Sequence, residues 1–297
     1  MAENNNTKQS FSDKWHKNTA LAFENTLNPD SETFKWITGR NGFKDENELR
    51  KYLSSKRRIL DAGCGNGRVT ALLRTYSDPK TTEIVGIDFA SADVAEKNLA
   101  KYKNVRFYKK NLLDNLTSLG NFDFIYCQEV LHHTGNARKG FDNLVELLEP
   151  GGEIAIYVYK QKAPAREFLD DFIREKIAGM DYESAMKHCR QITELGKALT
   201  DQNIKLKIPE VDLLQIKGGE YDLQRFIYHF FAKIFWNYEY SFEDNAVINY
   251  DWYHPQDCTR HTIEEVRNWF TEMGLKINYE YNDFYGITMK GETNNEK

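Results

Sequence analysis

Between residues 59 and 67 the chain reads Ile59-Leu60-Asp61-Ala62-Gly63-Cys64-Gly65-Asn66-Gly67, and this stretch decides the fold. Arg57–Asp61 reads as a buried strand, the glycines form a turn, and Val69, Leu72 and Leu73 then recur at helical spacing. Glycines where a strand meets a helix let the backbone approach a ligand closely and adopt φ values that side chains forbid. A dinucleotide loop needs G-x-G-x-x-G so that a pyrophosphate can lie against the helix N-terminus. Here Arg68 stands where the third glycine is required, so the spacing fits a ligand without phosphate.

Downstream, strands and helices alternate. Glu83–Asp88 is a second strand, followed by a helix from Ser91 to about Lys101; Val105–Tyr108 is a third and Phe122–Cys127 a fourth. A helix over Ala137–Leu148 is closed by the turn Glu149-Pro150-Gly151-Gly152, and Glu153–Tyr159 is a fifth strand. Such alternation demands parallel pairing with right-handed crossovers, hence a doubly wound, Rossmann-like α/β sheet. Asp88 ends the second strand, where an acid can accept hydrogen bonds from ribose hydroxyls. Taken singly, Asp61 reads as a capping loop acid and Asp88 as a turn former; their joint spacing favours the ligand reading.

The flanks differ in character. Lys14–Tyr52 is a helical preface broken at Asn28-Pro29-Asp30, preceded by a polar tail over Met1–Ser10. After Lys160 the alternation stops for about a hundred residues, too long for a connecting loop, and helical spacing over Ala165–Ile177, Tyr182–Leu199 and Leu223–Tyr238 predicts an inserted helical cap. Asp251–His261 reads as a polar, aromatic loop. Thr262–Met273 is a helix with Thr262 and Glu265 as a capping box, and Leu275–Tyr281 and Phe284–Met289 form a final antiparallel hairpin through Asn282-Asp283. The expected division is a tail and preface over 1–56, a core over 57–160, a cap over 161–250, and a substrate loop, closing helix and hairpin over 251–297.

A formal net charge of −5 argues against a nucleic-acid partner and against a polybasic membrane anchor. Apolar runs are broken by charges within about ten residues and the N-terminus lacks an apolar core, so the expectation is a soluble, cytoplasmic protein. The four cysteines form no CxxC pair, and Cys64 and Cys127 read as small buried side chains. His254, Asp257 and His261 contain the residue types of a metal triad, but their spacing spans a loop into a helix, and no metal is expected.

Read together, ILDAGCGNG, GIDFA, FDFIYCQEVLHH and LEPGGEIAIY resemble, in order, the motifs of the class I methyltransferases, closest in style to the ubiquinone and menaquinone methylases. The resemblance covers about Arg57–Tyr159 and the closing helix and hairpin, not the preface or the cap. It implies seven strands with an antiparallel last strand, S-adenosylmethionine as methyl donor, and S-adenosylhomocysteine as product. It further implies that Gly63, Cys64, Gly65 and Gly67 pass under the methionine moiety, with Asp61 orienting the loop or reaching the amino group. Asp88 would hold the ribose, Phe89 would lie against the adenine, Asn111 and Leu112 would meet the adenine edge, and Gln128 would face the sulfonium. Where the family often has Asp, this chain has Asn111, which can still accept a hydrogen bond.

A sulfonium is already activated, so a protein need supply alignment, desolvation and, for an oxygen acceptor, a base. Candidate catalytic groups are Glu129, His132, Tyr253 and His254, with His133 and His261 as further bases. Trp252, Tyr253, His254, Arg260 and His261 are expected to line the acceptor site. The reading is methyl transfer to nitrogen or oxygen of a small molecule; a macromolecular acceptor such as tRNA or protein, and a non-catalytic nucleoside-binding subunit, remain open alternatives.

Overall fold

The computed structural model describes residues 5–294, and its contacts divide them into two compact units. A sheet unit comprises Trp15–Lys160 and 259–294; a helical unit comprises 5–14 and Gln161–Cys258. In chain order the elements begin with α1 (Asn5–Lys17), α2 (Phe23–Leu27), α3 (Glu32–Arg40), α4 (Glu46–Leu53), β1 (Arg58–Ala62), α5 (Arg68–Tyr76), β2 (Glu83–Asp88) and α6 (Ala92–Asn98). There follow β3 (Val105–Lys109), β4 (Phe122–Gln128), α7 (Ala137–Val145), β5 (Leu148–Tyr159), α8 (Pro164–Ile177) and α9 (Tyr182–Asp201). The chain closes with β6 (Lys205–Ile208), β7 (Gly219–Asp222), α10 (Leu223–Phe230), α11 (Phe242–Tyr253), α12 (Ile263–Glu272), β8 (Lys276–Asn282) and β9 (Gly286–Glu292).

The sheet unit carries seven strands in the order β3-β2-β1-β4-β5-β9-β8. The first five are parallel, and β9 lies antiparallel between β5 and β8. Because side chains alternate along a strand, the sheet has two buried faces. Leu60, Val85, Ile125, Ile154 and Ile156 pack with Phe141 and Leu144 of α7 and Val266 and Phe270 of α12. Ile59, Ile84, Phe124 and Ala155 pack with Ile37 of α3, Leu49 and Leu53 of α4, and Leu72 and Leu73 of α5. The doubly wound sheet with its final antiparallel hairpin is as the sequence predicts.

Several expectations need correction. Asn5–Ser10 belong to α1 rather than to a tail; the first four residues lie outside those described. The strand β5 begins at Leu148 and runs through Pro150-Gly151-Gly152, with a register shift opposite Phe122 and Phe124. The expected turn is drawn into the sheet because Gly152 C=O accepts from Thr293 N–H at 2.9 Å and the Gly151 N–H donates to Asn294 C=O at 3.2 Å. Helix α10 stops at Phe230, since two asparagine side chains hold the following segment irregular: Asn249 Oδ1 accepts from Phe235 N–H and Asn245 Oδ1 from Asn237 N–H. Asp251–Tyr253 are the last turn of α11, not loop, and β6 and β7 form a hairpin that periodicity does not reveal. Thr262 caps α12 by accepting from Glu265 N–H, while the Glu265 carboxylate pairs with His261.

The helical unit is organised around Asp170, whose side chain is fully buried. Its two oxygens accept from Arg166 Nε, Trp252 Nε1, Tyr253 Oη and the Lys233 N–H, all between 2.8 and 3.1 Å. A buried carboxylate survives desolvation when every lone pair is met in this way.

Candidate active site

The glycine loop between β1 and α5 is held from below. Gly63 N–H and Cys64 N–H both donate to Ile87 C=O, at 2.7 and 3.0 Å. Gly63 sits at φ 87°, and a Cβ there would fall 2.2 Å from a Val130 methyl; Gly65 sits at φ 55°, and its Cβ would fall 2.8 Å from the Trp15 ring. Two side chains would have to move for any larger residue, so the glycines serve close approach as well as backbone freedom. In the sequence Trp15 reads as an apolar point of the helical preface and not as a site residue. Its segment is clamped to the loop by Asn66 Nδ2, which donates to Thr19 C=O and Leu21 C=O, and by Asn98 Nδ2, which donates to Thr19 C=O.

Asp88 joins the loop to the start of α6. Its Oδ1 accepts from Ala90 N–H, Ser91 N–H and Ser91 Oγ–H at 2.8 to 3.2 Å, while Oδ2 accepts from Gly65 N–H at 3.1 Å. Asp61 is buried and accepts from Thr70 Oγ–H at 2.5 Å. Burial raises its pKa to about 7, against the lowering effect of the Thr70 hydrogen bond, with the Asp88 charge adding to the rise. The four cysteines are all buried, and burial pushes the Cys64 and Cys127 thiols well above their usual range. Phe89 is half-buried beyond β2. Asn111 Oδ1 accepts from Leu113 N–H, and Leu112 packs in the core.

At the carboxyl end of β4 the structure brings together groups that the sequence did not connect. Arg40, the last residue of α3, is 3% exposed, with its guanidinium 3.5 Å from the Trp36 ring and 3.8 Å from the Tyr157 ring. None of its three side-chain nitrogens has a hydrogen-bond partner among the described residues. The same holds for Gln128 Nε2 and Thr288 Oγ. A buried guanidinium without an anion is strongly disfavoured, so the arrangement calls for a bound one. The sequence signal was weak: Trp36 and Arg40 lie four apart and share a helix face, a pattern that ordinary packing also produces.

Glu129, the next residue, is held at φ 58°, a conformation that costs a side-chain residue on the order of 1 kcal/mol or more. Its carboxylate meets Arg68 Nη2 at 3.5 Å. His132 is buried and stacks on Tyr159 at 3.6 Å; its Nδ1 accepts from Tyr159 N–H, which puts the ring proton on Nε2. The Thr259 N–H donates to His132 C=O, and His261 N–H donates to Tyr159 C=O. His261 has the opposite tautomer logic. Its Nδ1 lies 2.8 Å from the Glu265 carboxylate, so the proton sits there, and Nε2 accepts from Thr259 Oγ–H at 3.0 Å. Arg260, beside it, is half-buried.

The remaining expected residues belong to the helical unit. Trp252 and Tyr253 donate to Asp170. His254 stacks on Tyr250 at 4.5 Å, its Nε2–H donates to Met180 C=O and its Nδ1 meets Ser10 Oγ at 2.7 Å; burial lowers its pKa. The polar atoms of all three are thus spent within that unit. Among the described residues no cluster of His, Cys, Asp or Glu could hold a metal ion, and no helix is long and apolar enough to cross a membrane.

A family model described as a methyltransferase domain matches residues 53–203, just over half the chain. The chain belongs to this methyltransferase family. Among curated relatives, the methyltransferase is 26% identical over 208 residues to a ubiquinone biosynthesis O-methyltransferase of Rickettsia canadensis, covering 67% of this chain and 76% of that protein. It is 28% identical to the protein of the same description in Rickettsia akari, over 57% of this chain and 64% of that one. Among solved structures, PKMT2 from Rickettsia typhi in complex with AdoHcy shares the fold at a TM-score of 0.53 and 14% identity, over 84% of this chain and 53% of that one.

Proposed function

We propose that the methyltransferase takes its methyl group from S-adenosylmethionine and delivers it to a hydroxyl oxygen of a small acceptor. The observation that carries the donor reading is the buried, unpartnered Arg40 guanidinium on the ring of Tyr157, the register partner of Gln128, in a sheet whose glycine loop is stitched to Asp88. For a nucleoside bearing a free amino acid, Asp88 would hold the sugar hydroxyls and Arg40 would hold the carboxylate. The donor supplies a sulfonium methyl that leaves with its bonding electrons remaining on sulfur. The chain's own residues do the rest. Gly63 to Gly67 would admit the ligand against backbone, Trp15 would cover the loop and exclude water, and Arg40 would hold the methionine end. The transfer is an in-line displacement in which the acceptor oxygen attacks from the side opposite sulfur.

Oxygen is favoured over nitrogen by the similarity to proteins described as O-methyltransferases. A hydroxyl must lose a proton, and we assign its uptake to His261: Glu265 holds the Nδ1 proton, and the Nε2 lone pair is released when the Thr259 hydroxyl turns from it to its second acceptor, the His132 C=O at 3.3 Å. His132, protonated on Nε2, serves as a hydrogen-bond donor, and Trp252, Tyr253 and His254 hold the helical unit together. The test is calorimetry with S-adenosylhomocysteine, then labelled-methyl transfer into a metabolite extract. Binding that Asp88→Asn weakens at least tenfold, with label recovered in a small molecule, is expected. An intact protein that does not bind the nucleoside refutes the reading, and label in RNA or protein alone refutes the small acceptor.

A further inference from the structure

Gln128 ends β4, and its amide can face either way. Tyr126, two residues earlier on the same face, decides which. Its Oη lies 2.9 Å from Asn41 Nδ2 and 2.5 Å from the Gln128 amide. An NH2 group can only donate, so Tyr126 Oη accepts from Asn41, and its single proton is left for Gln128, which must turn its carbonyl oxygen toward it. With the amide reversed, two NH2 groups would meet at the phenol oxygen and the phenol proton would be buried without an acceptor, a cost of about 1–3 kcal/mol. Asn41 is itself fixed. Its Nδ2 also donates to Ile37 C=O at 2.8 Å, and its own C=O accepts from Lys290 Nζ at 2.5 Å.

The consequence lies on the other side of the amide. Gln128 Nε2 is buried with no partner among the described residues, as are the Arg40 nitrogens and Thr288 Oγ, and Thr288 sits opposite Tyr157 in the sheet register. The Arg40 guanidinium lies 3.8 Å from the Tyr157 ring, and Tyr157 is the register partner of Gln128, which places guanidinium and amide in one neighbourhood. We infer that Asn41 and Tyr126 are positioning residues of the donor site: they hold Gln128 with its NH2 outward, so that Arg40 and the amide present protons alone and, with the Thr288 hydroxyl able to donate beside them, select a carboxylate. The inference rests on the donor reading proposed above. Tyr126 touches no ligand in this scheme and acts through Gln128.

The test compares S-adenosylhomocysteine with the analogue lacking its carboxylate, by calorimetry on the full chain. Wild type is expected to prefer the carboxylate-bearing ligand strongly. Tyr126→Phe, which keeps the ring and removes the proton that orients the amide, should lower that preference by about tenfold and leave affinity for the analogue within about threefold, the size of one charge-assisted hydrogen bond. In a Gln128→Met background the same substitution should have no further effect on the preference. Equal losses for both ligands, or an undiminished effect without Gln128, would overturn the relay and leave Tyr126 a packing residue. If wild type discriminates and Arg40→Met abolishes discrimination while Tyr126→Phe does not, the relay fails and the donor reading stands. If wild type binds neither ligand, both fail.

Discussion

Replacing Arg40 by Met separates a packing role from a binding one, because the two predict opposite signs. Methionine keeps the aliphatic stem between Trp36 and Tyr157 and removes the charge. The ligand-free protein then loses two cation-π contacts, worth roughly 0.5–2 kcal/mol each. It also sheds an unpaired buried charge whose desolvation costs several kcal/mol. With Arg40 3% exposed and its guanidinium nitrogens buried and unpartnered, the second effect wins. The apo variant should be as stable as wild type or more so, by up to about 2 kcal/mol, a rise of a few degrees in Tm. Donor binding should move the other way. A bidentate carboxylate contact contributes about 1.5–3 kcal/mol per hydrogen bond, so S-adenosylhomocysteine affinity should fall by roughly 10²- to 10⁴-fold. Thermal scanning of the free protein and calorimetry with the nucleoside read the two effects separately. A lower Tm with unchanged affinity would refute the reasoning and make Arg40 a structural residue stacked between rings.

Asp61 ties stability to pH. Its folded pKa of about 7 lies above the unfolded value near 3.9, so the folded state binds the extra proton. Its contribution is therefore full below about pH 4 and is lost as pH rises through 7, by on the order of 4 kcal/mol at most. The Tm of wild type should fall relative to that of Asp61→Asn between pH 5 and 8; parallel curves would exclude the titration. Trp15→Ala uncovers Gly65 and should weaken S-adenosylhomocysteine binding about tenfold, mainly through a faster off-rate in stopped-flow traces, whereas an unchanged off-rate would remove Trp15 from the donor site. His261→Asn should lower kcat by about 10²-fold or more while leaving donor affinity intact; an unchanged kcat would move the base elsewhere.

The residues from Ile59 to Gly67, the acid at 88 and the alternation of strands and helices were enough to determine a doubly wound sheet and where its ligand loop lies, because each is a local pattern: a turn, a strand end, a period. Local chemistry also placed Thr262 at the start of α12. What only the tertiary structure decided depends on partners far apart in the chain. Arg40 becomes a buried, unpaired charge because Tyr157 closes over it from β5, and Gln128 acquires a direction through Asn41 and Tyr126. Pro150-Gly151-Gly152, a turn by composition, is pulled into β5 by hydrogen bonds to residues near 293. Tyr253 and His254, which look like site residues in a polar aromatic stretch, end in the interior of the helical unit because Asp170, Met180 and Ser10 take their polar atoms. Composition records which groups are present; whether a charge is satisfied or left waiting for a ligand is set by burial, and burial belongs to the folded chain.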